Sequence, residues 1–143
     1  MIDLENTIFN TVATQLRTDY PGIAVYGEYV AEPASFPCVN MWESNNSVEE
    51  RYEDTSALDD YVRVTYTVQV FTNSSTKKLD AKAIAETVDT IMTTYRFRRF
   101  LSSQVPNVDR TVYRIELRYS GIVKRTDFNA QNVGDTLFNI FAR

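Results

Sequence analysis

From Asp60 to Phe71 the chain reads DYVRVTYTVQVF, in which Val62, Val64, Tyr66, Val68 and Val70 alternate with Arg63, Thr65, Thr67 and Gln69. Successive side chains on a strand point to opposite faces, so this period of two predicts a long strand with one buried face. A polar turn, Thr72 to Thr76, then leads into Leu79, Ala83, Ile84, Val88, Ile91, Met92 and Tyr95 at helical spacing. That spacing predicts an amphipathic helix. The information in the chain therefore goes into a strand, a helix and their packing.

The remaining elements follow the same two periods. Ile2, Ile8, Phe9, Val12, Ala13 and Leu16 mark an N-terminal helix, with Asp3 and Glu5 near its positive end, where the macrodipole favours carboxylates. It stops at Tyr20-Pro21-Gly22. Ile23 to Tyr26 is expected as a short strand, and Tyr29 to Pro37, with Pro33 and Pro37, as irregular or at an edge. Cys38 to Glu43 is expected as a second short strand. Ser44 to Asp59 is polar, charged and without period, which predicts an exposed loop of unusual length; loops this long are generally functional or disordered.

In the second half, Arg96 to Asp109 mixes basic and aromatic residues with Ser102, Ser103 and Pro106 and carries no period. Thr111 to Tyr119 alternates, with Tyr113, Ile115, Leu117 and Tyr119 set against Val112, Arg114, Glu116 and Arg118, so a half-buried strand is predicted. Gly121 to Arg125 either extends that strand past a bulge at Gly121 or forms a separate short one. Leu137 to Phe141 fits a closing strand or a short helix, and its aromatic and β-branched content favours the strand. The expected fold class is α+β: a single domain spanning 1–143, with a mostly antiparallel or mixed sheet and two amphipathic helices packed on it.

Composition narrows the chemistry. At 143 residues one core can bury about two-thirds of the unfolded surface, with no staple needed. The lone Cys38 permits no intrachain disulfide; it reads as a buried structural thiol in a chain made in a reducing compartment. The start MIDLENTIFN has neither a basic opening nor an apolar run, so no signal peptide is expected. No stretch approaches the roughly 20 apolar residues of a membrane helix. The net charge of −4 argues against nonspecific adhesion to a nucleic-acid backbone. The charge is also segregated. Glu43, Glu49, Glu50, Glu53, Asp54, Asp59 and Asp60 face only Arg51 within their stretch, whereas Arg96, Arg98, Arg99, Arg110, Arg114, Arg118, Lys124 and Arg125 dominate the later chain.

The chain has no histidine, which removes the usual general base, the Ser-His and Cys-His pairs and the commonest metal ligand. Its four glycines, Gly22, Gly27, Gly121 and Gly134, are too dispersed to cradle a phosphate. Glu49-Glu50 and Asp59-Asp60 could pair as hydrolytic carboxylates, but their polar surroundings make a solvated face the better reading. The calcium-loop spacing is missing. Arg96, Phe97, Arg98, Arg99 and Phe100 interleave bases and aromatics as single-strand binders do, yet such a cluster more often caps a helix C-terminus. Tyr113 and Tyr119 fall on the inward face and read as core. No catalytic, cofactor or metal residue is expected.

The order of elements, together with Tyr20-Pro21-Gly22-Ile23, Ser35-Phe36-Pro37-Cys38-Val39 leading to Glu43, and Tyr113-Arg114-Ile115-Glu116-Leu117-Arg118-Tyr119-Ser120-Gly121, resembles the tail terminator proteins of long-tailed bacteriophages over nearly the whole chain. The resemblance implies a non-enzymatic virion protein, a homo-oligomeric ring, most often a hexamer, at the head-proximal end of the tail. Such a ring caps the tube of tail tube protein, ends its polymerisation and meets the head connector or stopper. DNA would pass through the lumen without specific binding, no membrane would be involved, and assembly would take place in the host cytoplasm. A ring needs two different patches meeting head to tail. The segregated charges offer them: Glu49, Glu50, Glu53 and Asp54 on one side, Arg96, Arg98 and Arg99 on the other. The alternatives are another head-tail connector, an adaptor or stopper, and a small metal-dependent hydrolase.

Overall fold

Two helices and five strands form an α+β fold in a computed structural model that describes residues 4–48 and 61–124. Chain order runs α1 (Glu5–Asp19), β1 (Ala24–Tyr26), β2 (Cys38–Val48), β3 (Tyr61–Thr72), α2 (Lys77–Thr94), β4 (Arg98–Gln104) and β5 (Tyr113–Lys124). The strands make one sheet in the order β1-β2-β3-β5-β4, with β1 parallel to β2 and every other pair antiparallel. Ile2, Asp3, the stretch 49–60 and the expected closing element at 137–141 lie outside the described residues, as do Glu49, Glu50, Glu53 and Asp54.

β3 sits at the centre because both of its edges are satisfied, by β2 on one side and β5 on the other. Directly paired residues share a face, so Val62, Val64, Tyr66, Val68 and Val70 line up with Val123, Gly121, Tyr119, Leu117 and Ile115 of β5. Val39 and Met41 of β2 continue the layer opposite Val70 and Val68. Both helices lie on this face, α1 against β2 and α2 against β3, β5 and β4, and they touch each other. Leu4, Ile8, Val12, Ala13 and Leu16 of the first, with Ala81, Ile84, Ala85, Val88 and Met92 of the second, complete the main core. Leu79 and Ala83, expected in the α2 stripe, are exposed instead, Leu79 by 70%. The buried stripe runs through Ala81 and Ala85, which lets the helix lie close to the sheet and turns Leu79 outward.

The opposite face corrects the expectation of a strand buried on one side only. From Tyr66 to Thr72 every residue of β3 is buried, Thr67, Gln69 and Phe71 included. The reason is the irregular, proline-bearing segment between β1 and β2, which crosses this face. Its Val30 carbonyl accepts a hydrogen bond from the buried Asn40 side chain at 2.9 Å, and its Tyr29 meets Trp42 edge to face at 5.8 Å. Phe36 closes a second small core of Cys38, Phe71 and Val112. Arg114 lies over the Phe71 ring at 5.3 Å, where a guanidinium gains from the ring quadrupole. Farther along, Gln69 donates to Glu116 at 3.0 Å and Thr67 to the Ser44 hydroxyl at 3.0 Å.

β2 is longer than the sequence suggested, since it runs on through Ser44 to Val48, with Asn45 to Val48 paired to β3. Ser44 is the extra residue of a bulge between Glu43 and Asn45, and the Glu43 N–H there donates to the Glu5 carboxylate at 3.1 Å, tying α1 to the strand. Tyr20-Pro21-Gly22-Ile23 forms a type II turn: Gly22 has φ of 88° and the Ile23 N–H donates to the Tyr20 carbonyl at 3.1 Å. No bulge occurs at Gly121, whose pairing with Val64 is continuous. The glycine has another cause. A Cβ there would sit 2.7 Å from the Phe97 ring, which is buried and packs edge to face on Tyr66 at 5.3 Å.

Candidate surface at the β4 edge

The segment after α2, which has no period in the sequence, is where the basic residues gather, and its backbone explains how. α2 ends in a paired cap: the Arg96 N–H donates to the Thr93 carbonyl at 2.9 Å and the Phe97 N–H to the Met92 carbonyl at 3.0 Å. This arrangement requires a left-handed residue between them, and Arg96 supplies it with φ of 67°, a conformation that costs a side-chain-bearing residue about 1–2 kcal/mol. The helix is thus capped by backbone, with Arg96 at the reversal, and its last turn carries no basic residue. The reversal throws Phe97 into the core and releases Arg98 and Arg99 into β4.

Among the described residues β4 is the outermost strand, pairs only with β5, and has six of its seven residues exposed. Its register slips between Arg99 and Leu101, leaving Phe100 as the extra residue of a bulge. Bulges bend edge strands and re-aim their side chains. Phe100 is 56% exposed as a result.

The two arginines part company here. Arg99, opposite Tyr119 on the helix-bearing face, forms an ion pair with Asp89 of α2 at 3.1 Å, and the Tyr119 hydroxyl donates to the same carboxylate at 2.9 Å. Burial, then the hydrogen bond to Asp89 and its charge, push the Tyr119 hydroxyl far above the usual phenol range, so it stays a neutral donor. Arg99 is therefore partly structural. Arg98 pairs in register with Ser120 on the other face and makes no ion pair among the described residues. There Arg63, Thr65, Arg98, Arg99, Phe100 and Ser120 border an open cleft of about 620 Å³, and Arg63 donates to the Ser120 hydroxyl at 3.4 Å. Sequence reasoning gathered Arg96, Arg98 and Arg99, with Phe100 in the same basic-aromatic run, but missed Arg63 and Ser120. Arg63 and Ser120 lie far apart in the chain and meet only through the β3-β5 pairing, so no local pattern marks them.

The other side of the edge holds a second open groove of about 560 Å³ between α2 and β4, lined in part by Lys78, Lys82, Glu86, Asp89 and Arg99. Its charges are mixed and partly paired. Cys38, the lone thiol, is fully buried beneath the crossing segment, and burial pushes its pKa up to about 11. No group of three or more His, Cys, Asp or Glu able to hold a metal ion occurs among the described residues, and no helix among them is long and apolar enough to cross a membrane. Neither the models of known protein families nor the curated proteins compared with this chain match it.

Proposed function

We propose that this chain is a structural ring subunit of a phage tail, a terminator that caps the tail tube, ends its polymerisation and offers a surface to the head connector. The observation that carries the reading is the β4 edge: a strand with one side unpaired among the described residues, cationic at its start, in a chain whose acids concentrate between Glu43 and Asp60. A surface of one sign on one element and a run of the opposite sign elsewhere suit a head-to-tail contact, which closes into a ring when the rotation permits. The resemblance in element order to tail terminators supports the same reading and supplies the hexamer. The partners would be copies of the chain, the tail tube protein and the connector, with DNA passing through a lumen that does not bind it specifically.

Electron microscopy of particles from cells lacking the chain tests this. Overlong tubes without heads are the expected result. Tubes of normal length beside unattached, filled heads would overturn the terminator reading in favour of an adaptor or stopper.

A further inference from the structure

We infer that the cleft beside the Phe100 bulge is a socket for an acidic segment of a second copy of the chain. The inference rests on the ring reading and names the surface through which one copy would hold the next.

The geometry begins with a row across the outer face of the sheet. Thr65, Ser120 and Arg98 lie side by side on β3, β5 and β4. Arg63, one step along on the same face of β3, reaches over to the Ser120 hydroxyl. Two guanidinium groups thus flank a floor of hydroxyls, with the exposed Phe100 ring beside them and no carboxylate among the described residues that line the cleft. A planar guanidinium matches a carboxylate through paired N–H donors, and Arg with an exposed aromatic is the pairing that most often dominates a protein contact. The bulge also decides the mode of binding. Because the ladder slips between Arg99 and Leu101, a partner strand could not add along the whole of β4 in one register, so the cleft recognises side chains.

The occupant follows from charge. Within the sequence, the stretch from Glu43 to Asp60 holds seven acids against Arg51 alone, and it carries Tyr52 and Leu58, apolar side chains suited to Phe100. In a second copy, this stretch is the complementary half of a head-to-tail pair.

Two variants test it. One removes the socket, Arg98→Ala with Phe100→Ala; the other reverses the plug, Glu49→Lys, Glu50→Lys, Glu53→Lys and Asp54→Lys. Arg99 is left alone because of its ion pair with Asp89, and melting curves should match the parent for both. By sedimentation or native mass spectrometry, the parent chain should assemble, and each variant alone should run at the 16.5 kDa of one chain. Mixed in equal amounts, the two should form a heterodimer and nothing larger, since each keeps one live half. Parent assemblies that the socket variant reproduces would overturn the socket while leaving the ring reading standing. A parent that stays monomeric at high concentration would overturn docking of a second copy and leave the ring to be judged on tails. Binding of a single-stranded oligonucleotide that Arg98→Ala abolishes, without self-association, would overturn the acidic occupant.

Discussion

β3 and β4 belong to the same sheet and are separated only by β5, yet they have opposite relations to their surroundings. β3 is paired along both edges, buried on its helix side throughout and on both sides from Tyr66 onward. Among the described residues β4 is paired along one edge, broken by a bulge and exposed at six of seven residues. Burial fixes what β3 must be, and a charge placed there has nowhere to go. Exposure leaves β4 free to carry Arg98 and an open phenylalanine, groups that contribute little to the fold. In this molecule the middle of the sheet specifies the domain, and its edge is available for function.

The comparison breaks first if the centre tolerates charge. Val68→Asp places a carboxylate between Met41 and Leu117, and burying it unpaired should cost several kcal/mol, enough to unfold a domain of typical stability near 5–15 kcal/mol. Thr67→Asp, on the other face, should also destabilise clearly, because Thr67 is buried and donates to Ser44. Thr65→Asp, only half-buried, should be mild. Denaturant titration of the three variants gives the order, and equal midpoints for Thr67→Asp and Thr65→Asp would remove the second buried face.

The seam between centre and edge offers a sharper probe. Gly121→Ala drives a methyl into the Phe97 ring, which is held by Tyr66 and by the cap of α2, and should cost about 1–3 kcal/mol. Gly121→Ala with Phe97→Leu should recover part of that loss. If the double variant is worse than the sum of the singles, the ring is not what the glycine makes room for.

A smaller effect reports on the segment that crosses β3's outer face. Cys38 is held neutral by burial, with its pKa raised from 9.0 to about 11 in the folded protein. Above pH 9 the unfolded thiol ionises while the folded one does not, so the unfolded state binds fewer protons and stability falls as pH rises toward 11. The loss should reach about 2 kcal/mol more in the parent than in Cys38→Ala. Parallel pH profiles for the two proteins would mean that the segment does not seal the thiol.

The contrast between the strands also sets how much of the molecule its sequence discloses. β3, β5 and both helices are legible because each buries a face, and burial writes a period into the residue order. The α+β class follows from them, whereas the mixed sheet comes from the parallel pairing of β1 with β2. Ser44 to Val48 hid their strand because a backbone ladder to β3 holds polar residues as well as apolar ones, leaving no mark in composition. β4 hid for the related reason that neither of its faces is buried, so Arg-Arg-Phe-Leu-Ser-Ser-Gln alternates with nothing. The cleft was half legible: Arg98 stood out as a base in a basic run, whereas Arg63 looked like the polar partner of a buried alternation. Leu79 misled in the other direction, an apolar residue near the right spacing that α2 turns to solvent.

Hydrogen exchange on the chain free and in assembled tails tests the division between centre and edge most directly. Amides of β3 should be slow and unchanged between the two states, since the fold holds them already. Amides of Arg98 to Phe100, beside the cleft, should exchange faster than those of β3 in the free subunit and slow on assembly, as docked side chains steady the edge. Equal exchange of β4 in both states would contradict the account, and protection gained in β3 would contradict it further, by making the centre of the sheet depend on a partner.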